Sequence, residues 1–93
     1  MITSSSNAQV KQMIQLNKKA RERRKQDVFL VEGLRMFREV PRERLVKTYV
    51  SESFLEDPEH QVLLQGIPYE MVKDSVFAQM SDTLKPKGVQ TVG

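Results

Sequence analysis

Short apolar runs alternate with segments of helical periodicity along the sequence, and this alternation constrains the fold more than any other feature. The runs are rich in β-branched and aromatic residues, as strands are, and they lie at 28–31, 45–50, 68–72 and 89–92. A chain of 93 residues has room for one core. The pattern predicts an α/β fold, namely a small three-layer α/β/α domain with a mostly parallel four-stranded sheet.

The first predicted helix carries the clearest apolar stripe. The segment 6–9 matches a capping box, with Ser6 as the cap, and should begin the helix. The helix should end near Arg23, because Arg24 would place a guanidinium in the stripe. That stripe is formed by Val10, Met13, Ile14 and Ala20.

Three further helices complete the predicted order α-β-α-β-α-β-α-β. The second spans 34–40, and the third begins at Asp57-Pro58 and ends at Gly66. Asp74 or Ser75 should cap the fourth helix. The polar segment 81–88 is predicted to be a linker or turn, and 89–92 reads as the start of a strand with nothing after it.

Cations are concentrated immediately before the first predicted strand. Residues 18–25 contain six cations and one anion. Residues 1–48 hold twelve Lys or Arg and five Asp or Glu, whereas 49–93 hold three and seven, so the halves carry +7 and −4. Such a cluster is either a solvated charged face or an electropositive region that binds a polyanion such as nucleic acid.

The residues offer little for catalysis. The chain has no cysteine and one histidine, His60, which is expected at the surface, so no Cys or His metal cluster is predicted. Gly33 is expected to need a positive φ or a close backbone approach. Glu32 is expected either to cap the next helix or to pair with the basic run. The six aromatic residues fall mostly at core positions, so base stacking is not indicated. Binding of phosphate by Lys and Arg is the function that the residues favour.

Three blocks of sequence resemble a known family. They are Ile2-Thr3-Ser4 with Asn7 and Val10-Lys11, the segment FLVEGLR at 29–35, and the segment 76–89 with its S-D-T-x-x-P-x-G-V pattern. Together they resemble the N-terminal substrate-binding domain of the SpoU/TrmH-like RNA ribose 2'-O-methyltransferases. The resemblance implies a compact α/β domain similar to the ribosomal proteins that bind kink-turn RNA. Glycine is common in the family before the Phe of FLVEG, where this chain has Asp27-Val28.

The resemblance also implies which residues bind RNA and what the rest of the protein does. Residues 1–85 would form the RNA-binding domain, and 86–93 would be a linker or the start of a catalytic domain. That domain would bind S-adenosylmethionine and dimerise, and no catalytic or metal-binding residue is expected in this chain. The RNA contacts that the resemblance implies are Asn7, Lys11, Arg23, Arg24 and Arg35. The basic run itself adds Lys18, Lys19, Arg21 and Lys25 as expected contacts, and its pattern with the next strand makes Glu32 and Gly33 an expected structural turn.

Two other functions remain open at this stage. The first is a free-standing RNA-binding module of the ribosomal-protein type without enzymatic activity. The second is an adaptor that uses the basic face on a protein or an anionic membrane surface. No apolar run approaches the ~20 residues of a membrane span. We therefore expect a cytoplasmic protein whose partner is RNA, of ribosomal origin, and not a membrane.

Overall fold

The computed structural model describes residues 1–81 and 88–93, so the predicted linker at 81–88 lies mostly outside the described residues. Two 3-10 turns, Arg42–Arg44 and Phe54–Glu56, join the larger elements. The helices and strands are, in chain order, α1 (Ala8–Lys18), α2 (Ala20–Gln26), β1 (Leu30–Glu32), α3 (Leu34–Glu39), β2 (Lys47–Ser51), α4 (Pro58–Leu63), β3 (Glu70–Val72), α5 (Asp74–Met80) and β4 (Val89–Val92).

The four strands form one mixed sheet in the order β1-β4-β2-β3. Only β2 and β3 are parallel, whereas β4 is antiparallel to both of its neighbours, with Val92 opposite Leu30 on one side and Lys47 on the other. The prediction of a mostly parallel sheet is therefore wrong. Alternation of strands and helices suggests parallel pairing, but it does not fix the end from which the last strand enters the sheet.

Strand β4 is an inner strand, although its sequence looked like a strand with nothing after it. All four of its residues are buried, and it pairs along its length with β1 and β2. Residues 89–92 therefore complete the sheet of the described chain. The predicted domain boundary at residue 85 lies outside the described residues and stays a prediction.

Helices cover both faces of the sheet, which confirms the predicted three layers. Helices α1 and α5 pack on one face, where Met13, Tyr49 and Phe77 belong to one apolar cluster. On the other face Phe37 of α3 and Leu64, just after α4, pack with Val50. The consecutive residues Tyr49 and Val50 of β2 thus pack into clusters on opposite faces of the sheet, because side chains alternate between the two faces along a strand.

Strand β1 is shorter and less buried than expected. It lies at the edge of the sheet, and its three residues are half-buried, whereas a buried strand was predicted at 28–31. Gly33, which follows it, has a φ of +101°, as expected. The Gly33 N–H donates to the carbonyl of Val89 at 3.0 Å, and this bond fixes the turn into α3 against the inner strand.

The helix starts were predicted with mixed success. Asp57 caps α4 by accepting from the Glu59 N–H at 2.9 Å, and Gly66 has the expected positive φ of +77° after that helix. Helix α1 is capped by Asn7 and not by Ser6, and α5 follows Lys73, which provides no side-chain cap. The Asp74 carboxylate instead accepts from the Ser53 N–H at 3.0 Å, so it ties α5 to the turn after β2.

The only histidine is less exposed than predicted. The side chain of His60 is 23% exposed, and its ring stacks on Phe54 with centroids 3.9 Å apart. Its Nδ1 lies 2.7 Å from the Phe54 carbonyl oxygen, so His60 helps to hold α4 against the turn that follows β2.

Candidate nucleic-acid interface

Helix α2 carries most of the cationic run and buries none of its own residues. Its sequence is ARERRKQ, which lacks any apolar stripe. A seven-residue helix without a packed face has little intrinsic stability. Hydrogen bonds at its two ends are therefore what hold it between α1 and β1.

The first of these attachments is Arg23. Its guanidinium donates to the carbonyl of Leu16 and, at 3.3 Å, to that of Asn17 in the last turn of α1. These carbonyls lack helical partners, because the backbone turns away at Lys19, where φ is −121° and ψ is 99°. The single helix predicted as far as Arg23 is thus two helices, and Arg23, an expected RNA contact, stabilises the break between them.

The second attachment is the residue that ends α2. Asp27 has a φ of +55°, in the left-handed region, and its N–H donates to the Arg24 carbonyl at 3.2 Å. The Val28 N–H then donates to the Arg23 carbonyl at 3.0 Å. This arrangement is typical of helix C-termini, where glycine is the commonest residue and Asp an occasional substitute. This chain has Asp27-Val28 where glycine is common in the family, and because Asp27 adopts the left-handed conformation, the turn into β1 is still formed.

The remaining cations of the run are free to meet a ligand. Within residues 1–81 and 88–93, the only Lys or Arg ion pair is Lys47 with Glu70 at 3.8 Å, and the His60 Nε2 also lies 3.8 Å from a carboxylate oxygen of Asp57. The charge of the run is thus not neutralised by any carboxylate of the described chain. We call its five exposed members the basic surface: Lys18, Lys19, Arg21, Arg24 and Lys25.

The other expected contact residues are more dispersed. Lys11 is exposed on α1, seven residues before Lys18 and so about 10 Å away along the helix. The side chain of Asn7 is engaged as a cap, since its oxygen accepts from the Gln9 N–H at 2.8 Å. Arg35 is exposed on α3, which packs on the opposite face of the sheet from α1.

Glu32 has a structural role that neither expectation described. Both of its carboxylate oxygens accept from the Ser81 hydroxyl, at 2.7 and 2.8 Å, and one also accepts from the Gln90 amide at 2.8 Å. Gln90 is fully buried in β4, and its oxygen lies 3.3 Å from the amide nitrogen of Asn17. This polar chain links the edge strand, the inner strand, α1 and the end of α5.

One arginine that approaches the segment after α2 was not identified from the sequence. The Arg44 guanidinium lies 5.8 Å from the ring centroid of Phe29, which follows directly on the turn that ends α2. The R-E-R sequence at 42–44 signals a charged turn, but nothing local to it indicates the approach to Phe29. The fold thus adds a cation to the region where α2 meets the sheet.

Other kinds of site receive no support from the described part of the chain. It contains no group of three or more His, Cys, Asp or Glu side chains that could hold a metal ion. It also contains no helix of the length and apolar character needed to cross a membrane.

Comparison with known proteins identifies the kind of domain. The profile of the MRM3-like substrate binding domain matches residues 7–91. None of the curated proteins matches the sequence significantly. The family match agrees with the resemblance that the sequence blocks indicated.

Three solved structures with the same fold are methyltransferases. An RNA 2'-O ribose methyltransferase matches 98% of this chain with a TM-score of 0.76 and 27% identity. An rRNA methyltransferase from Sinorhizobium meliloti and its AdoMet-bound form give TM-scores of 0.69 and 0.68 at 18% identity, also over 98% of the chain. The chain spans about a third of the length of these proteins, namely 36%, 35% and 34%.

Proposed function

The chain belongs to the MRM3-like substrate binding domain family, and on that premise we propose that it binds the RNA substrate of a ribose 2'-O-methyltransferase. The observation that carries this proposal is the basic surface. Its five cations lie on and beside a helix that buries nothing, and no carboxylate of the described chain neutralises them.

Phosphate binding is the chemistry that fits this arrangement. Arg presents a planar fork of donors to phosphate oxygens, and Lys provides a point charge. Because α2 buries none of its own residues, its exposed cations are not required by the core and are available to bind phosphate. Contacts of this kind set the position of an RNA strand but carry no sequence information themselves.

We propose that methyl transfer itself is performed by a further domain of the same protein. The matched segment covers 36% of the length of the RNA 2'-O ribose methyltransferase, so about two-thirds of that chain lies outside it. S-adenosylmethionine, which would supply the methyl group, would be held there, as would the groups that act on the ribose and the contacts of a homodimer. The role of this chain is to hold the RNA.

The RNA is proposed to be folded ribosomal RNA, bound in the manner of the ribosomal proteins that recognise kink-turns, in the cytoplasm. The basic surface favours a bent or folded strand, because its cations lie on two short helices that meet at the break at Lys19. A direct comparison is binding to a kink-turn hairpin and to the same hairpin with the kink removed by full pairing. Tighter binding of the kinked form supports the proposal, whereas equal binding contradicts this part of it.

Chemical-shift mapping tests the location of the interface. The ¹⁵N-labelled chain is titrated with the kink-turn hairpin, and the backbone amides are followed. We expect the largest changes in α2 and the last turn of α1, at residues 18–25. Changes confined to the acidic residues 49–81, or no changes, would contradict the proposal.

The free-standing RNA-binding module differs from this proposal in one observable respect. If the coding sequence continues past residue 93 for about another domain of ~100–150 residues or more, the domain is part of a larger protein. The structure favours neither case, since both use the same basic surface.

A further inference from the structure

A groove opens between α1, the end of α2 and the start of β2. Its volume is about 320 Å³, at the lower end of the roughly 300–1,000 Å³ range typical of small-ligand sites. Three glutamines from two helices line it, namely Gln9, Gln12 and Gln26, and Lys47 lines it from the sheet. This concentration of amides in one concave site is not explained by the binding of phosphates.

The floor of the groove is apolar. Met13 and Leu16 line it and are only 1% and 2% exposed, so they belong to the core and keep the floor fixed. Val46 lines the groove too and is 68% exposed, so it provides an apolar wall that the fold leaves uncovered. A flat ligand with polar edges fits such a site, because its faces can meet apolar side chains while its edges meet the amides.

One of the three amides has a fixed orientation. The Tyr49 hydroxyl donates to the side-chain oxygen of Gln9 at 3.1 Å, which leaves the Gln9 amide nitrogen as a donor for a ligand. Burial, followed by the negative charge of Glu70, raises the pKa of Tyr49 above 10.0, so this hydroxyl stays protonated at neutral pH.

The other two amides retain their hydrogen-bonding capacity. Gln12 and Gln26 are exposed, and no side-chain hydrogen bond joins either to the described residues. A glutamine amide has a donor and an acceptor side by side, which match N7 and the amino group of adenine. In single-stranded RNA, unpaired bases are recognised by such contacts at their edges.

The groove also lies next to the basic surface. Gln26 is the last residue of α2 and follows Lys25, so a strand whose phosphates contact α2 passes the entrance of the groove. Lys47 lines the far side of the groove, where its charge is paired with Glu70 at 3.8 Å. We propose that this groove binds one unpaired nucleobase, adenine being the best match, from the RNA strand held by the basic surface. The inference rests on the proposed function and adds base recognition to it.

Two RNA probes of equal charge separate base recognition from phosphate binding. One is a hairpin with an all-adenine loop, and the other is the same hairpin with abasic riboses in the loop. We expect the wild-type chain to bind the adenine loop about fivefold more tightly or better, since one good bidentate contact is worth about 1–3 kcal/mol. Gln12→Ala and Gln26→Ala should each reduce this ratio towards one.

Two control variants distinguish loss of base recognition in the groove from loss of any glutamine and from loss of a phosphate contact. Gln15→Ala changes an exposed glutamine of α1 that does not line the groove, so the ratio should be unchanged. Lys25→Ala should weaken binding of both hairpins by the same factor, because it removes a phosphate contact only.

Three outcomes would overturn the inference. Equal wild-type binding of the two hairpins would overturn it while leaving phosphate binding by the basic surface intact, and the groove would then serve another occupant, such as a further segment of the same protein. A base preference unaffected by both groove variants would place recognition elsewhere. Failure to bind either hairpin would contradict the proposed function and the inference together.

Discussion

Helices α1 and α2 are neighbours in sequence, but different interactions stabilise them. Helix α1 buries Val10, Met13 and Leu16 against the sheet, whereas α2 buries nothing. The first is specified by an apolar stripe that the core requires. The second is held by hydrogen bonds from Arg23 and from the turn at Asp27, and three of its exposed positions, Arg21, Arg24 and Lys25, are occupied by cations. Substitutions on the buried face of α1 should therefore change stability, whereas substitutions of the exposed cations of α2 should change binding.

The largest effect is expected in the buried face of α1. Met13 is 1% exposed, and Met13→Ala should lower the free energy of unfolding by about 2–5 kcal/mol through lost burial and a residual cavity. Urea denaturation measures this loss. The matched control is Gln12→Ala on the exposed side, which should change stability by no more than about 0.5 kcal/mol. Equal losses for both variants would contradict the assignment of α1 to the core.

The opposite behaviour is expected of the exposed cations of α2. Replacing Arg21, Arg24 and Lys25 together by Ala should weaken RNA binding by roughly 1–3 kcal/mol in total, with stability changed by no more than about 0.5 kcal/mol. Filter binding and urea denaturation measure the two quantities. Lys73→Ala, at an exposed lysine outside the basic surface, is the control and should leave affinity unchanged. Unfolding of the triple variant would show that these cations stabilise the fold, and it would contradict the prediction.

Arg23 is the exception within α2. Arg23→Ala leaves the carbonyls of Leu16 and Asn17 without their donor, and we expect a stability loss of about 1–2 kcal/mol, since the site is half-buried. Arg23→Lys keeps a cationic donor and should recover part of the loss. If Arg23→Ala is as stable as Arg24→Ala, the guanidinium does not hold the junction between the helices.

The smallest effect is a pH dependence centred on Tyr49. Burial raises the folded pKa of Tyr49 above its usual value of 10.0, so its contribution to stability is fully present below pH 10 and is lost as the pH rises through the folded pKa. The wild type should therefore lose thermal stability above pH 10 more steeply than Tyr49→Phe. Below pH 10 the variant should be less stable by about 0.5–1.5 kcal/mol, since it lacks the hydrogen bond to Gln9. The same decrease of melting temperature with pH in the wild type and in Tyr49→Phe would contradict the prediction.

Local features were predictable because their causes are local. The stripe containing Val10 and Met13 placed α1 against the core, and the Asp57-Pro58 pair placed the start of α4. Gly33 was expected to need a positive φ, since it lies between a strand and a helix, and it has one. Each of these inferences depends on residues within about one helical turn.

Long-range arrangements could not be predicted in the same way. Nothing in 89–92 indicates that this strand enters between β1 and β2, and the mixed sheet follows from that placement. Nothing in 20–26 indicates that Arg23 turns back to α1, because the sequence pattern does not reveal the break at Lys19 that leaves carbonyls of α1 without helical partners. The approach of Arg44 to Phe29 and the groove lined by Gln9, Gln12 and Gln26 likewise depend on elements far apart in the chain.

The salt dependence of RNA binding tests the central claim most directly. If the five cations of the basic surface each neutralise one phosphate, log affinity should fall against log salt concentration with a slope of about −3.5 to −4.5. In the triple variant only Lys18 and Lys19 remain, and the slope should shrink to about −1.4 to −1.8. A slope near zero for the wild type, or the same slope for both chains, would contradict the account.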